Sequence, residues 1–200
     1  MAALTRTGIA REIAAAGLLI ASYPLDEIAR RTERFFDWGD ETVVLAHGLG
    51  GSRANFLAFA AYVRMAGFGR IEFFEYPRWQ SVADSASMLG EMVERISSNR
   101  AVHIVGHSLG GTIARRFAAI APHKVRSLVT IGSPYSINHS NLRELAIFGD
   151  EDAVVPPPPE QLRDNMFKRA EVLPATGHLA ILYHPQTLRL TATELRLNRY

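Results

Sequence analysis

The segment Val105-Gly106-His107-Ser108-Leu109-Gly110-Gly111 decides how this chain is read. An apolar, β-branched run, Ala101–Val105, precedes it, and an amphipathic helical pattern, Leu109–Ile120, follows. Glycine, two residues apart on either side of a serine, between a strand and a helix, is the pattern of a nucleophile elbow. The serine backbone in such a turn is strained and neighbouring chain packs closely against it, which calls for Gly106 and Gly110. A second glycine-rich segment, His47-Gly48-Leu49-Gly50-Gly51, closes another apolar run, Val43–Ala46. Its glycines let the backbone turn so that an N–H faces an oxyanion. The expected donors are the amides of Leu49 and of Leu109, the residue after the serine. A nucleotide-phosphate loop is excluded: Gly48-x-Gly50 lacks a third glycine, since Arg53 stands there, and no Gly-Lys-Ser/Thr ending exists.

A serine hydroxyl is a weak nucleophile until a base takes its proton and an acid orients that base. Both types follow in the order acid, then histidine. Gly149-Asp150-Glu151-Asp152-Ala153-Val154-Val155 comes after a strand pattern, and Thr176-Gly177-His178-Leu179 after the last one. Asp150, Glu151 and Asp152 compete for the acid's role; Asp152 is preferred, with Asp150 in reserve. His178 is the candidate base. His47 and His107 lie inside the glycine motifs and are expected to brace them. His103 alternates within a strand, His123 and His139 read as loop surface, and His184 before Pro185 reads as a packing or capping residue. No His-Glu-x-x-His or similar ligand cluster is present, so no metal is expected.

Working outward, short strands alternate with helices. The strand patterns are Thr42–Ala46, Arg70–Tyr76, Ala101–Val105, Ser127–Ile131, Glu144–Phe148 and Arg169–Leu173. Helical patterns fall at Ser52–Ala66, Ser81–Ser97, Leu109–Ile120, Glu160–Phe167 and Pro185–Leu197. This alternation predicts βαβ units: an α/β fold with a mostly parallel sheet of about six strands and helices on both faces. Pro156–Pro159 reads as a stiff loop entering a helix. The N-terminal region, residues 1–38, is helical by pattern. The apolar stretch Ile13–Ala21 is too short to span a bilayer. It resembles a short signal-peptide core, but Glu12 abuts it and no clear cleavage site follows, so a buried or half-buried helix is expected, with a membrane-touching or signal segment as the alternative. Pro24 is placed to open a second helix, Leu25–Phe36.

Composition sets the outer limits. The chain has 200 residues, 48% hydrophobic and 21% charged, enough for one globular domain with a sizeable core. It has no cysteine, which excludes disulfides, thiolate metal sites and a cysteine nucleophile without fixing the compartment, although a cytoplasmic location is the expectation. A net charge of +2, almost all from arginine beside Lys124 and Lys168, gives no footprint for nucleic acid.

Together, His47–Gly51, Gly106–Gly111, Gly149-x-x-Asp152-x-x-Val155 and Gly177-His178-Leu179 resemble the α/β-hydrolase signature, most closely that of small lidless bacterial lipases and esterases. The resemblance runs from about Thr42 to Leu190. It implies a Ser108–His178–Asp152 triad, an oxyanion hole at Leu49 and Leu109, no cofactor, and hydrolysis of carboxylic esters through an acyl-enzyme. Thioesters and amides are the alternative substrates, and a non-catalytic binding protein of the same fold is the remote one. The whole chain is then expected to form one α/β-hydrolase domain, with residues 42–197 as the catalytic core and 1–38 as a helical extension. Gly132–Ser136 is followed by only a short link to Glu144, so no cap domain is expected. Tyr135, Val154, Val155 and Leu179 flank the motifs and are expected to form an apolar, substrate-binding rim, taking short- to medium-chain or bulky esters. Residues 1–38 are left to cover a sheet face, form a dimer contact or rest on a lipid surface. The motifs leave the oligomeric state open.

Overall fold

A computed structural model describes residues 5–32, 40–97, 100–135, 143–161, 163 and 169–199. Among the described residues, six strands form one sheet: β1 (Thr42–Ala46), β2 (Arg70–Phe74), β3 (Val102–His107), β4 (Val125–Ile131), β5 (Glu144–Gly149) and β6 (Arg169–Leu173). Their order is β2-β1-β3-β4-β5-β6, and every neighbouring pair is parallel. The central strands β1, β3 and β5 are buried at every residue, which suits a parallel sheet covered on both sides and explains their continuous apolar runs.

The helices are α1 (Arg6–Thr32), α2 (Leu57–Met65), α3 (Val82–Ile96), α4 (Leu109–Ile120) and α5 (Pro185–Leu197). On one face, Val43, Leu45, Val105, Val129 and Ile147 of the sheet pack with Phe59 and Val63 of α2 and Leu195 of α5. On the other, Val44, Ala46, Ile104 and Leu128 pack with Leu89 and Val93 of α3 and Ile113 and Phe117 of α4. Side chains alternate between these faces along each strand, so both layers are built from the same short runs.

Several sequence expectations change here. β2 stops at Phe74, because Tyr76 leaves the ladder to pack under the loop after β1. β3 continues to His107, right up to the elbow. The Ser52–Ala66 pattern begins as a 3-10 turn, Arg53–Phe56, capped by Ser52. The N-terminal helix is continuous through Pro24 rather than restarting there. The fixed φ of proline is itself helical, so the helix gives up one amide bond and runs on. Residues 33–36 of the expected second helix lie outside the described residues, as do His139 and most of Glu160–Phe167, of which Glu160, Gln161 and Arg163 are helical.

The strand order reverses between β1 and β3. In open parallel sheets this is where a crevice opens beyond the carboxyl ends of the strands. The loop after β1 carries His47–Gly51, and the turn after β3 carries Ser108. Both glycine motifs therefore converge on one crevice.

Candidate active site

Ser108 sits between β3 and α4 with φ 52° and ψ −122°. A non-glycine residue rarely adopts a positive φ, and the strain is held by the packing around it. A Cβ on Gly106 would stand 2.5 Å from the Gly111 Cα, and one on Gly110 would stand 2.3 Å from the Ala46 carbonyl oxygen. Both glycines are thus required by the approach of neighbouring backbone, as the sequence suggested. The Ser108 N–H donates to the Ile131 carbonyl of β4 at 2.9 Å, fixing the turn to the next strand.

The Ser108 hydroxyl lies 3.1 Å from His178 Nε2, and His178 Nδ1 lies 2.7 Å from Asp152 Oδ2. The Asp152 side chain is fully buried, while His178 retains 14% exposure. The amides of Val154 and Val155 donate to the other carboxylate oxygen of Asp152 at 2.9 and 2.7 Å. These bonds hold the ionised carboxylate and aim its free edge at the imidazole. Asp150 is exposed and accepts the Thr176 N–H at 3.3 Å, and Glu151 accepts the Thr5 N–H at 3.1 Å. Of the three acids, Asp152 is the one beside His178.

The two bracing histidines act as expected. His107 Nε2 donates to the His178 carbonyl at 3.0 Å, and the two rings lie 4.9 Å apart. Burial, reinforced by the positive charge His178 can carry, lowers the His107 pKa to about 3, so it stays a neutral donor. His47 lies 2.8 Å from the Gly48 carbonyl and stacks on Tyr76 at 4.7 Å. The Tyr76 hydroxyl donates to the His47 carbonyl at 2.7 Å; burial pushes its pKa up to about 12, so it does not ionise. His184 caps α5, accepting the Gln186 N–H, and burial lowers its pKa.

A cleft of about 90 Å³ is lined by Gly48–Gly51, Asn55, His107, Ser108, His178 and Leu179. Leu49 rims it with 67% of its surface exposed. Leu109 is the first residue of α4, where an amide has no acceptor within the helix and is available to an anion. Among the four residues expected to form the substrate rim, Leu179 lines the cleft. Tyr135, Val154 and Val155 are not part of its lining. Val155 is buried, and the two valines serve Asp152 through their amides, because the acid loop folds its backbone rather than its side chains toward the site. Trp79 is 89% exposed, and Phe56, Phe59 and Phe74 are core.

Two site residues escaped the sequence reading. Asn55 completes a capping box with Ser52, and the Ser-x-x-Asn spacing carried that signal. Glu12 accepts the Leu179 and Ala180 amides from α1, and no local pattern announces it.

Comparison with known proteins agrees with this architecture. A family model described as alpha/beta hydrolase fold matches residues 75–167, a span that includes Ser108 and Asp152 and ends before His178. A curated relative, the dihydrolipoyllysine-residue acetyltransferase component of the acetoin cleaving system of Pseudomonas putida, is 28% identical over 143 residues, 65% of this chain. The chain spans only 38% of that relative's length. A solved membrane phospholipase A, described as a bacterial virulence factor, superposes with a TM-score of 0.70 at 16% identity, covering 96% of each chain. The monoacylglycerol lipase of Paleococcus ferrophilus superposes with a TM-score of 0.67 at 16% identity, covering 79% of this chain and 95% of its own. At these identities the structural likeness is one of fold. The chain has the α/β-hydrolase fold, with lipases and esterases among its structural neighbours.

Proposed function

We propose that this protein is a serine hydrolase of carboxylic esters, with Ser108 as nucleophile, His178 as general base and acid, and Asp152 as the orienting carboxylate. The observation that carries the reading is the hydrogen-bond chain from Ser108 through His178 to Asp152, at 3.1 and 2.7 Å, opening on a cleft. His178 Nε2 takes the hydroxyl proton as Ser108 attacks the ester carbonyl. The Leu49 and Leu109 amides hold the oxyanion of the tetrahedral intermediate. His178 then protonates the leaving alcohol, and an acyl-serine remains. Water, activated by the same imidazole, releases the acid. Asp152 stays ionised throughout, holding Nδ1–H and stabilising the transient imidazolium.

The small cleft and the exposed Leu49 favour short- to medium-chain or bulky apolar esters. An apolar stripe on α1, Ile9, Ile13 and Ile20, exposed at 44%, 68% and 70%, supports contact with a lipid surface beside the site. The phospholipase match, at 96% coverage, takes in most of α1 as well. No described helix is long and apolar enough to cross a membrane. Thioester cleavage is the second reading, favoured by the curated relative's name, which places that protein in acyl transfer. A panel of p-nitrophenyl esters from acetate to palmitate, with matched thioesters and anilides, tests both. Fastest turnover of the shorter esters is expected; cleavage of the longest acyl groups alone contradicts the proposed chain length, and a preference for thioesters favours the second reading.

A further inference from the structure

The N-terminal helix grips the two loops that bear the proposed acid and base. Where burial is described along α1, at residues 6–18, 20, 21 and 24, Gly8 and Ala15 are the buried positions. Polar contacts tie this part of the helix to the site. The Glu12 carboxylate accepts the Leu179 N–H at 3.0 Å and the Ala180 N–H at 2.7 Å through Oε1, and approaches the Leu179 N–H again through Oε2 at 3.1 Å. These are the two amides that follow His178 in the chain. Arg11 donates to the Ala175 carbonyl at 2.8 Å, just before the histidine. On the acid side, the Thr5 N–H donates to Glu151, the neighbour of Asp152.

Two glycines make this approach possible. A Cβ on Gly177 would stand 2.6 Å from Glu12 Oε1, and one on Gly8 would stand 1.7 Å from Glu151 Oε2. Gly177 directly precedes His178, so the glycine of the histidine motif has a partner outside the catalytic core.

We propose that Glu12 is a positioning residue for His178: its carboxylate clamps the backbone after the histidine and so sets the imidazole between Ser108 and Asp152. The proposal rests on the serine-hydrolase reading and adds α1 as a working part of the site. A charged acceptor suits this task because its bonds to amides are shorter and stronger than those of a neutral one. Released from it, the Leu179–Ala180 backbone loses its anchor on the helix side, while His107 still holds the His178 carbonyl.

The test compares wild type with Glu12→Ala and Glu12→Gln by turnover of p-nitrophenyl butyrate and by the downfield proton resonance of the His178–Asp152 hydrogen bond. Expected for Glu12→Ala is a kcat lower by about 10- to 100-fold, the scale of a misplacement near 1 Å, with KM unchanged. The resonance should move or broaden, and Glu12→Gln, which keeps a carbonyl acceptor, should recover part of both. If Glu12→Ala does not fold, Gly177→Ala makes the same test from the loop side, because its methyl group must displace the carboxylate. Wild-type kcat and an unchanged resonance in the folded variant overturn the proposal. Failure of wild type to cleave any ester, thioester or amide would defeat the hydrolase reading instead, and the resonance would then decide Glu12 on its own.

Discussion

His107 Nε2 donates to the carbonyl oxygen of His178 across 3.0 Å, tying the motif that carries Ser108 to the loop that carries the proposed base. His107 is buried, and burial lowers its pKa to about 3, so it donates as the neutral imidazole. Unfolded, the same side chain titrates near 6.5. Between those values the unfolded chain binds a proton that the native chain refuses, so stability falls as pH falls. The contribution is complete above about pH 6.5 and is lost progressively toward pH 3. His103, lowered to about 4 chiefly by burial, adds in the same direction. Urea unfolding at pH 7.5, 5.5 and 4.5 should therefore show a shallower loss of stability for His107→Gln than for wild type. Equal slopes would remove His107 from this account.

The acid's role separates cleanly by substitution. Asp152→Asn keeps the size of the side chain but no longer supplies a carboxylate to His178 Nδ1, and kcat should fall by about 10⁴-fold. Asp150→Asn disturbs only a 3.3 Å bond from Thr176 and should cost less than tenfold. Steady-state kinetics of the two variants on one ester checks the pair; the reverse order would transfer the role to Asp150.

A buried ionic network ties α4 to β4 and β5. Arg115 of α4 donates to Glu144 at 2.7 Å and to Thr130 at 2.8 Å, and also to the Pro134 carbonyl after β4. Glu144 is 1% exposed, so Arg115→Ala takes the guanidinium at 2.7 Å away from a carboxylate in the core. Breaking such a pair costs about 3–5 kcal/mol. Thermal or urea unfolding should show that loss, and Arg115→Met combined with Glu144→Leu should recover part of it.

How far the sequence reached depends on where each signal lives. β1, β6, α4 and α5 end where their patterns end; His47-Gly48 closes β1, Pro174 closes β6, Pro122 follows α4 and Pro185 opens α5. The elbow was legible for the same reason: Gly106 and Gly110 answer to backbone contacts that no other residue permits. The ladder limits of β2 and β3 were not, since Tyr76 and His107 are placed by tertiary contacts to His47 and His178. That the amides of Val154 and Val155 would hold Asp152 was not legible, because an apolar side chain beside a motif says nothing about which way the loop backbone turns. α1 was the least legible element. Ile9, Ile13 and Ile20 face outward, and the contacts toward the site come from Gly8, Arg11 and Glu12, a helical spacing of glycine and charge that an apolar periodicity does not register.

Covalent labelling with a fluorophosphonate, mapped by mass spectrometry, probes the proposed role of Ser108 as an activated nucleophile. A single adduct on Ser108 is expected in wild type, none in Ser108→Ala, and loss of ester turnover in step with labelling. A folded wild-type protein that takes up no label at Ser108, or a Ser108→Ala variant that still cleaves esters at the wild-type rate, would contradict that role.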